Sequence, residues 1–131
     1  MKAYLEDARL NYPPVVEAFI ESPVNGRGLR VKLVVDTGFQ GGVLIPLRTY
    51  LDLKLNLHEE PKAVGRAAVG GEVELRVSRV IVRVGNVSVR CRAYTALGVR
   101  KSLLGREALK ELGMLYKPPQ VLKVGLNNGR V

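Results

Sequence analysis

One strand changes character along its own length. Leu29, Val31, Leu33 and Val35 alternate with Arg30 and Lys32, the two-residue period of a strand with one wet face. Val34 then puts an apolar side chain on that second face, so the strand is set to be buried on both sides where it runs into Asp36-Thr37-Gly38. Phe39-Gln40-Gly41-Gly42 turn the chain, and Val43-Leu44-Ile45 carry it away as a second apolar strand. A carboxylate beside two buried strands is costly unless hydrogen bonds or a proton compensate it. The fold must therefore bring polar partners to Asp36, which becomes a candidate catalytic acid. The plainer use of such a triplet is an Asx-type turn with the acid on the surface.

The remaining chain reads as strands and tight turns. Val15 to Ile20 pairs with Leu29 to Val35 through a turn whose Asn25-Gly26 supplies positive φ angles. Gly70-Gly71 links Arg66-Ala67-Ala68-Val69 to Glu72-Val73-Glu74-Leu75-Arg76-Val77, and Gly85-Asn86 links Val80–Val84 to Val87–Ala93. Cys91 falls on the apolar face of that last strand, where a small thiol packs as core. Pro46 suits the first turn of a short helix through Arg48-Thr49-Tyr50-Leu51, whereas residues 54–63, with Glu59, Glu60 and Pro61, read as a loop. Arg106 to Leu112 forms two helical turns closed by Gly113, and a final strand runs from Gln120 to Val124 after Lys117-Pro118-Pro119. The expected class is mostly β, a sandwich or closed barrel with one or two short helices.

Composition removes several chemistries. The chain has 131 residues, the length of one domain, with 47% hydrophobic and 25% charged residues, so it is expected to be globular over 1–131. Its apolar runs are too short to span a membrane, and no signal-peptide pattern opens it; with one cysteine, a cytoplasmic location is expected. One histidine and one cysteine leave no usual zinc set, and the acids lack calcium-loop spacing, so no metal or cofactor is expected. Any Ser/His or Cys/His nucleophile scheme must use His58, which lies in the polar stretch Asn56-Leu57-His58-Glu59-Glu60 and reads as part of a solvated loop.

Three segments, in order, make the chain resemble the retropepsin-like aspartic proteases, single-lobe relatives of pepsin. Val34-Val35-Asp36-Thr37-Gly38 is similar to that family's apolar-apolar-Asp-Thr-Gly signature. The Gly70-Gly71 hairpin lies where the family carries its flap. Leu103-Leu104-Gly105-Arg106 before a helix resembles its second signature, and the likeness covers about residues 15–115. The chain departs from the common pattern at Phe39, where many members have Ser or Ala, and at Gln40-Gly41-Gly42, which offer no acid to pair with Arg106.

The resemblance implies a closed β-barrel fold and an aspartic endopeptidase with catalytic Asp36, Thr37 and Gly38. It further implies a substrate-covering flap at Ala68, Val69, Gly70 and Gly71, and structural support from Leu103, Leu104, Gly105 and Arg106. The chain has three aspartates, Asp7, Asp36 and Asp52, and only Asp36 stands in Asp-Thr-Gly. Two carboxyls are needed, so one chain is half a site and a homodimer acting on a peptide or protein substrate is implied, its termini, including Gln120 to Val124, available to the interface.

A different class competes. A net charge of +9 can attract nucleic acid or acidic protein, and Arg76, Arg83, Arg90 and Arg92 fall on consecutive strands, so an inactive member of the fold would serve as a basic binding module. With five tyrosines and two phenylalanines, and only Tyr94 close to these arginines, platforms for stacking bases are sparse, and nucleic acid is not favoured.

Overall fold

The computed structural model describes residues 4–5, 14–66, 72–117 and 121–124. Its strands are β1 (Tyr4–Leu5), β2 (Pro14–Glu21), β3 (Gly28–Val35), β4 (Val43–Leu44), β5 (Glu59–Arg66), β6 (Glu72–Val84), β7 (Val87–Thr95), β8 (Leu103–Leu104), β9 (Met114–Lys117) and β10 (Val121–Val124). Helix α1 (Leu47–Asp52) follows β4, a 3-10 turn covers Leu55–His58, and α2 (Arg106–Leu112) follows β8.

Eight strands form one sheet in the order β1-β2-β3-β8-β4-β7-β6-β5, and an additional antiparallel pairing of β2 with β6 joins the sheet back onto itself. The mostly β class with two short helices is therefore as expected. β9 and β10 form a separate antiparallel pair. One core holds Val16, Ile20, Leu33, Val43, Ile45, Val80, Val82 and Leu104 from the sheet together with Tyr50, Leu53 and Leu55 and with Ala108 and Leu112 of α2. β3 follows its sequence pattern only in part: Arg30 and Lys32 are exposed and Leu33 and Val35 are buried just before Asp36, but Leu29 is exposed and Val34 is half-buried, so the second face is not closed.

Three local readings change. The β2–β3 connection is a six-residue turn over 22–27, with Glu21 paired to Gly28, and Asn25 does not share the positive φ expected of it and Gly26. Its cause is Ser22, whose buried hydroxyl accepts from Val24 N and Asn25 N at 3.2 and 3.3 Å and so holds a helical turn. Only Gly26 there has positive φ, at 75°. Residues 54–63 are not a loop: a 3-10 turn leads into β5, which pairs with β6 through a register shift between Glu60 and Ala63. Pro61 sits inside that shift, where its missing N–H breaks no ladder bond. The acids that read as loop are cross-strand partners of arginines, as described below. Finally, β6 is one strand of 13 residues, not two, because the polar interruption at Ser78 is buried and hydrogen-bonded.

Candidate active site

The Asp36 segment is built from both ends of the chain. β8 lies between β3 and β4, parallel to the first and antiparallel to the second. Val34 N donates to Ser102 O at 2.8 Å and Asp36 N to Leu104 O at 2.9 Å, so Leu103-Leu104 holds the strand up to the acid itself. Beyond it, Asp36 Oδ1 accepts from Gly38 N at 2.9 Å and Phe39 N donates to Asp36 O at 3.1 Å. The Asx-type turn foreseen as the plainer alternative is thus present, but at the end of a strand buried in the core. The Asp36 side is half-buried, Thr37 and Gly38 are exposed, and Oδ2 has no hydrogen-bond partner among the described residues.

The turn then serves as the cap of α2. Gly105 N donates to Gly42 O (2.8 Å), Arg106 N to Phe39 O (2.8 Å) and Glu107 N to Gly41 O (3.2 Å). These are N–H groups that a helix start leaves without internal partners, and no side chain caps them. Such close approach explains Gly105. A Cβ there would run into Gly41 O, 2.5 Å from Phe39 Cδ2 and 2.7 Å from Phe39 O.

Phe39 has a packing role. Its ring meets Tyr94 edge-on, with centroids 5.7 Å apart and planes at 84°, and both rings press on Gly41. The aromatic pair fills the space under the turn, and burial, before the nearby charge of Glu107, pushes the Tyr94 hydroxyl up from its ordinary value.

The Arg106 side chain takes no part in this network. It is exposed and has no ion pair among the described residues, in keeping with the missing acid at 40–42. Its neighbour Glu107 is engaged instead: Oε1 accepts from Arg92 N and Oε2 from Arg92 Nη1, both at 3.1 Å. Arg92 Nε also donates to Glu60 Oε1 at 3.0 Å, and Glu60 Oε2 takes Arg79 Nε at 2.6 Å. A chain of charges thereby links α2 to the base of the β5–β6 hairpin. Glu59 does the same one residue earlier, accepting from Arg76 Nε at 2.7 Å and Tyr50 OH at 2.9 Å. Glu59, Glu60 and Tyr94 are marked in the sequence by no more than their place along strands, and Glu107 by no more than its place in the first turn of α2.

These contacts alter the picture of a basic sheet face. Arg76, Arg79 and Arg92 are paired with glutamates, and Arg83 meets Glu21 at 3.3 Å while lying over the Phe19 ring. Of the four arginines singled out, only Arg90 is without an ion pair among the described residues.

His58 is not in a solvated loop. It is half-buried between two buried serines, with Nε2 3.1 Å from Ser22 Oγ and Nδ1 2.9 Å from Ser78 Oγ. Ser78 Oγ donates to His58 O, so it receives Nδ1–H, and Ser22 supplies its proton to Nε2. Ser22 is 1% exposed, which removes it as a nucleophile; the three residues tie the start of β5 to the β2–β3 turn. Burial, with Glu107 adding, raises the Cys91 thiol to about 12. Among the described residues no group of three or more His, Cys, Asp or Glu side chains is placed to hold a metal, and no helix is long and apolar enough to cross a membrane. The expected flap residues Ala68, Val69, Gly70 and Gly71 lie outside the described residues; the strands leading to them, β5 and β6, pair from Glu59–Ser78 to Arg66–Glu72.

A strand ending in Asp-Thr-Gly, a second apolar strand laid between it and its successor, and a helix started on the intervening turn define the aspartic-protease fold of the single-lobe, retropepsin-like kind. Solved structures agree. The chain is similar to the EIAV protease complexed with the inhibitor HBY-793, at 25% identity and a TM-score of 0.57 over 80% of this chain and 92% of that one. It is also similar to a retropepsin-like aspartic protease from Rickettsia conorii, at 15% identity and a TM-score of 0.62 over 92% of this chain and 86% of that one. No protein-family model and no curated protein sequence matches the chain.

Proposed function

We propose that the protein is an aspartic endopeptidase that works as a homodimer, with Asp36 from each copy meeting on a two-fold axis. The observation that carries this reading is Asp36 itself. Its backbone is fixed by Leu104, one carboxylate oxygen is oriented by Gly38 N, and the other is unpartnered among the described residues at an exposed turn. One chain supplies one such acid.

In the dimer the two carboxyls share one proton, because like charges about 3 Å apart do not both ionise. The ionised Asp36 takes a proton from a water lying between them, and the water oxygen attacks the peptide carbonyl. The protonated Asp36 gives its proton to the carbonyl oxygen, forming a neutral gem-diol. Return of a proton to the amide nitrogen breaks the C–N bond and releases acid and amine. Thr37 holds the turn across the axis and Gly38 admits the backbone close to it. The β5–β6 hairpin, through Ala68, Val69, Gly70 and Gly71, closes over an extended substrate and adds a strand to it. Leu103, Leu104, Gly105 and Arg106 support the site, and residues 1–131 act as one domain whose termini contribute to the interface. The pairing of Arg76, Arg83 and Arg92 with carboxylates weighs against a phosphate-tracking module.

The test combines Asp36→Asn with a statine-type inhibitor and a sedimentation measurement. Peptide cleavage is expected to be abolished by either and to scale with dimer concentration. Cleavage by D36N at the wild-type rate, or by a chain that stays monomeric, refutes the proposal.

A further inference from the structure

A cavity of about 410 Å³ opens beside the Asp36 turn, lined by Gln40, Arg106, Glu107 and Lys110. Gln40 is four residues from Asp36, and the other three lie on α2, whose start rests on that turn. The charges on its wall do not balance. Glu107 is already held by Arg92 through both carboxylate oxygens, so its charge is spent inside the fold. Arg106 and Lys110 are exposed, with no ion pair among the described residues. They stand four apart on one helix, where like charges repel. The amide of Gln40 adds a neutral donor to the lining.

We infer that this cavity is a carboxylate-binding subsite in which Arg106 and Lys110 hold an acidic side chain of the peptide substrate, at a fixed distance from the scissile bond. The reading rests on the peptidase assignment above for what the ligand is, and on the cavity alone for its charge. A second copy of the chain is a poor source of the anion. The protein carries 12 acids against 21 basic residues, and Glu21, Glu59, Glu60 and Glu107 are committed to its own arginines. A substrate carboxylate offers two oxygens, one for the guanidinium fork and one for the ammonium. An uncompensated pair at the edge of a cleft also raises the local concentration of acidic substrates before they dock.

The experiment uses the full-length protein and short neutral peptides, each carrying one Glu at a different position, with Gln twins. Binding is read by fluorescence anisotropy on D36N protein, and cleavage is read on the wild-type protein. At one position the Glu peptide is expected to bind D36N about tenfold more tightly than its twin, the worth of a charge-assisted hydrogen bond. Adding R106Q/K110Q is expected to remove that preference, so that the Glu and Gln twins bind alike, and not to lower the melting midpoint, since it relieves a like-charge pair. A control, R48Q/R90Q, takes away the same charge elsewhere and is expected to keep the preference; equal loss in the control overturns the inference. So does equal binding of all twins, or a preference that survives R106Q/K110Q. Inorganic phosphate at millimolar levels should compete with the Glu peptide; if phosphate displaces it while Gln twins bind equally well, the cavity is a general anion site and the substrate role is refuted. If wild-type protein cleaves nothing but the Glu preference maps to Arg106 and Lys110, the subsite stands and the peptidase reading falls. If both twins are cleaved equally, the peptidase reading stands and the subsite falls.

Discussion

Replacing Gly105 by alanine should damage the site without touching any acid. The added Cβ would collide with Gly41 O and lie 2.5 and 2.7 Å from Phe39 Cδ2 and Phe39 O. Two of these are backbone atoms, and Phe39 O is the acceptor for Arg106 N at 2.8 Å. Relief requires α2 to lift from the turn, which strains or breaks the bonds from Gly105, Arg106 and Glu107. Overpacking costs about 1–3 kcal/mol and a lost backbone hydrogen bond about 1 kcal/mol, so the sum is roughly 3 kcal/mol. For a chain of this length that corresponds to a fall of about 10 °C in the melting midpoint, measured by circular dichroism. The partner experiment is Gly26→Ala, where a Cβ meets nothing within 4 Å and only the positive φ of 75° is penalised, a cost of about 1–2 kcal/mol. Peptide cleavage should fall in G105A even at temperatures where it remains folded, since Asp36 N is bonded to Leu104 O one residue away. A G105A midpoint within about 2 °C of wild type, with full cleavage, refutes the view that α2 and the acid turn are built as one unit.

Other outcomes follow from the polar contacts. His58→Ala removes the bridge between Ser22 and Ser78 and should cost about 1–3 kcal/mol, seen as faster amide exchange in β5 than in β7. The hydrogen bond from Arg92, opposed by burial and assisted by Arg79, holds the Glu60 carboxyl below its ordinary 4.5. A depressed acid stabilises the fold above its unfolded pKa and loses that contribution as pH falls through the folded one, so Glu60→Gln should flatten the stability profile below about pH 4.5 and leave the neutral region's slope unchanged in denaturant titrations. Cys91, 2% exposed and raised to about 12, should resist iodoacetamide in the native protein at neutral pH and react once it is unfolded.

Much of the fold could be read from period and punctuation. Val87–Thr95 alternates cleanly, Gly85-Asn86 supplies a two-residue turn between Val84 and Val87, and Gly113 ends α2 at the expected place. The failures are of one kind. Glu59, Glu60 and Pro61 read as loop because local propensity sees two acids and a proline, whereas their strand exists through arginines 17 to 32 residues away in sequence. His58 read as solvated for the same reason, since its partners Ser22 and Ser78 are 36 and 20 residues distant. Asp36 stands out because its signal is local: an apolar strand that runs straight into an acid. Its support at Leu103-Leu104 was legible only by resemblance, and Phe39 looked like a departure until Tyr94 was seen beneath the same turn.

The interleaving of β8 between β3 and β4 has a consequence for synthesis. The carbonyls of Phe39, Gly41 and Gly42 receive their partners from Gly105, Arg106 and Glu107, more than sixty residues later. On the ribosome the strand carrying Asp36 emerges early, with only the local bonds from Gly38 N and Phe39 N to hold its turn; the bonds to α2 must wait until that helix has left the exit tunnel. A nascent chain stopped short of residue 107 therefore carries the acid without the helix start that takes the carbonyls of its turn.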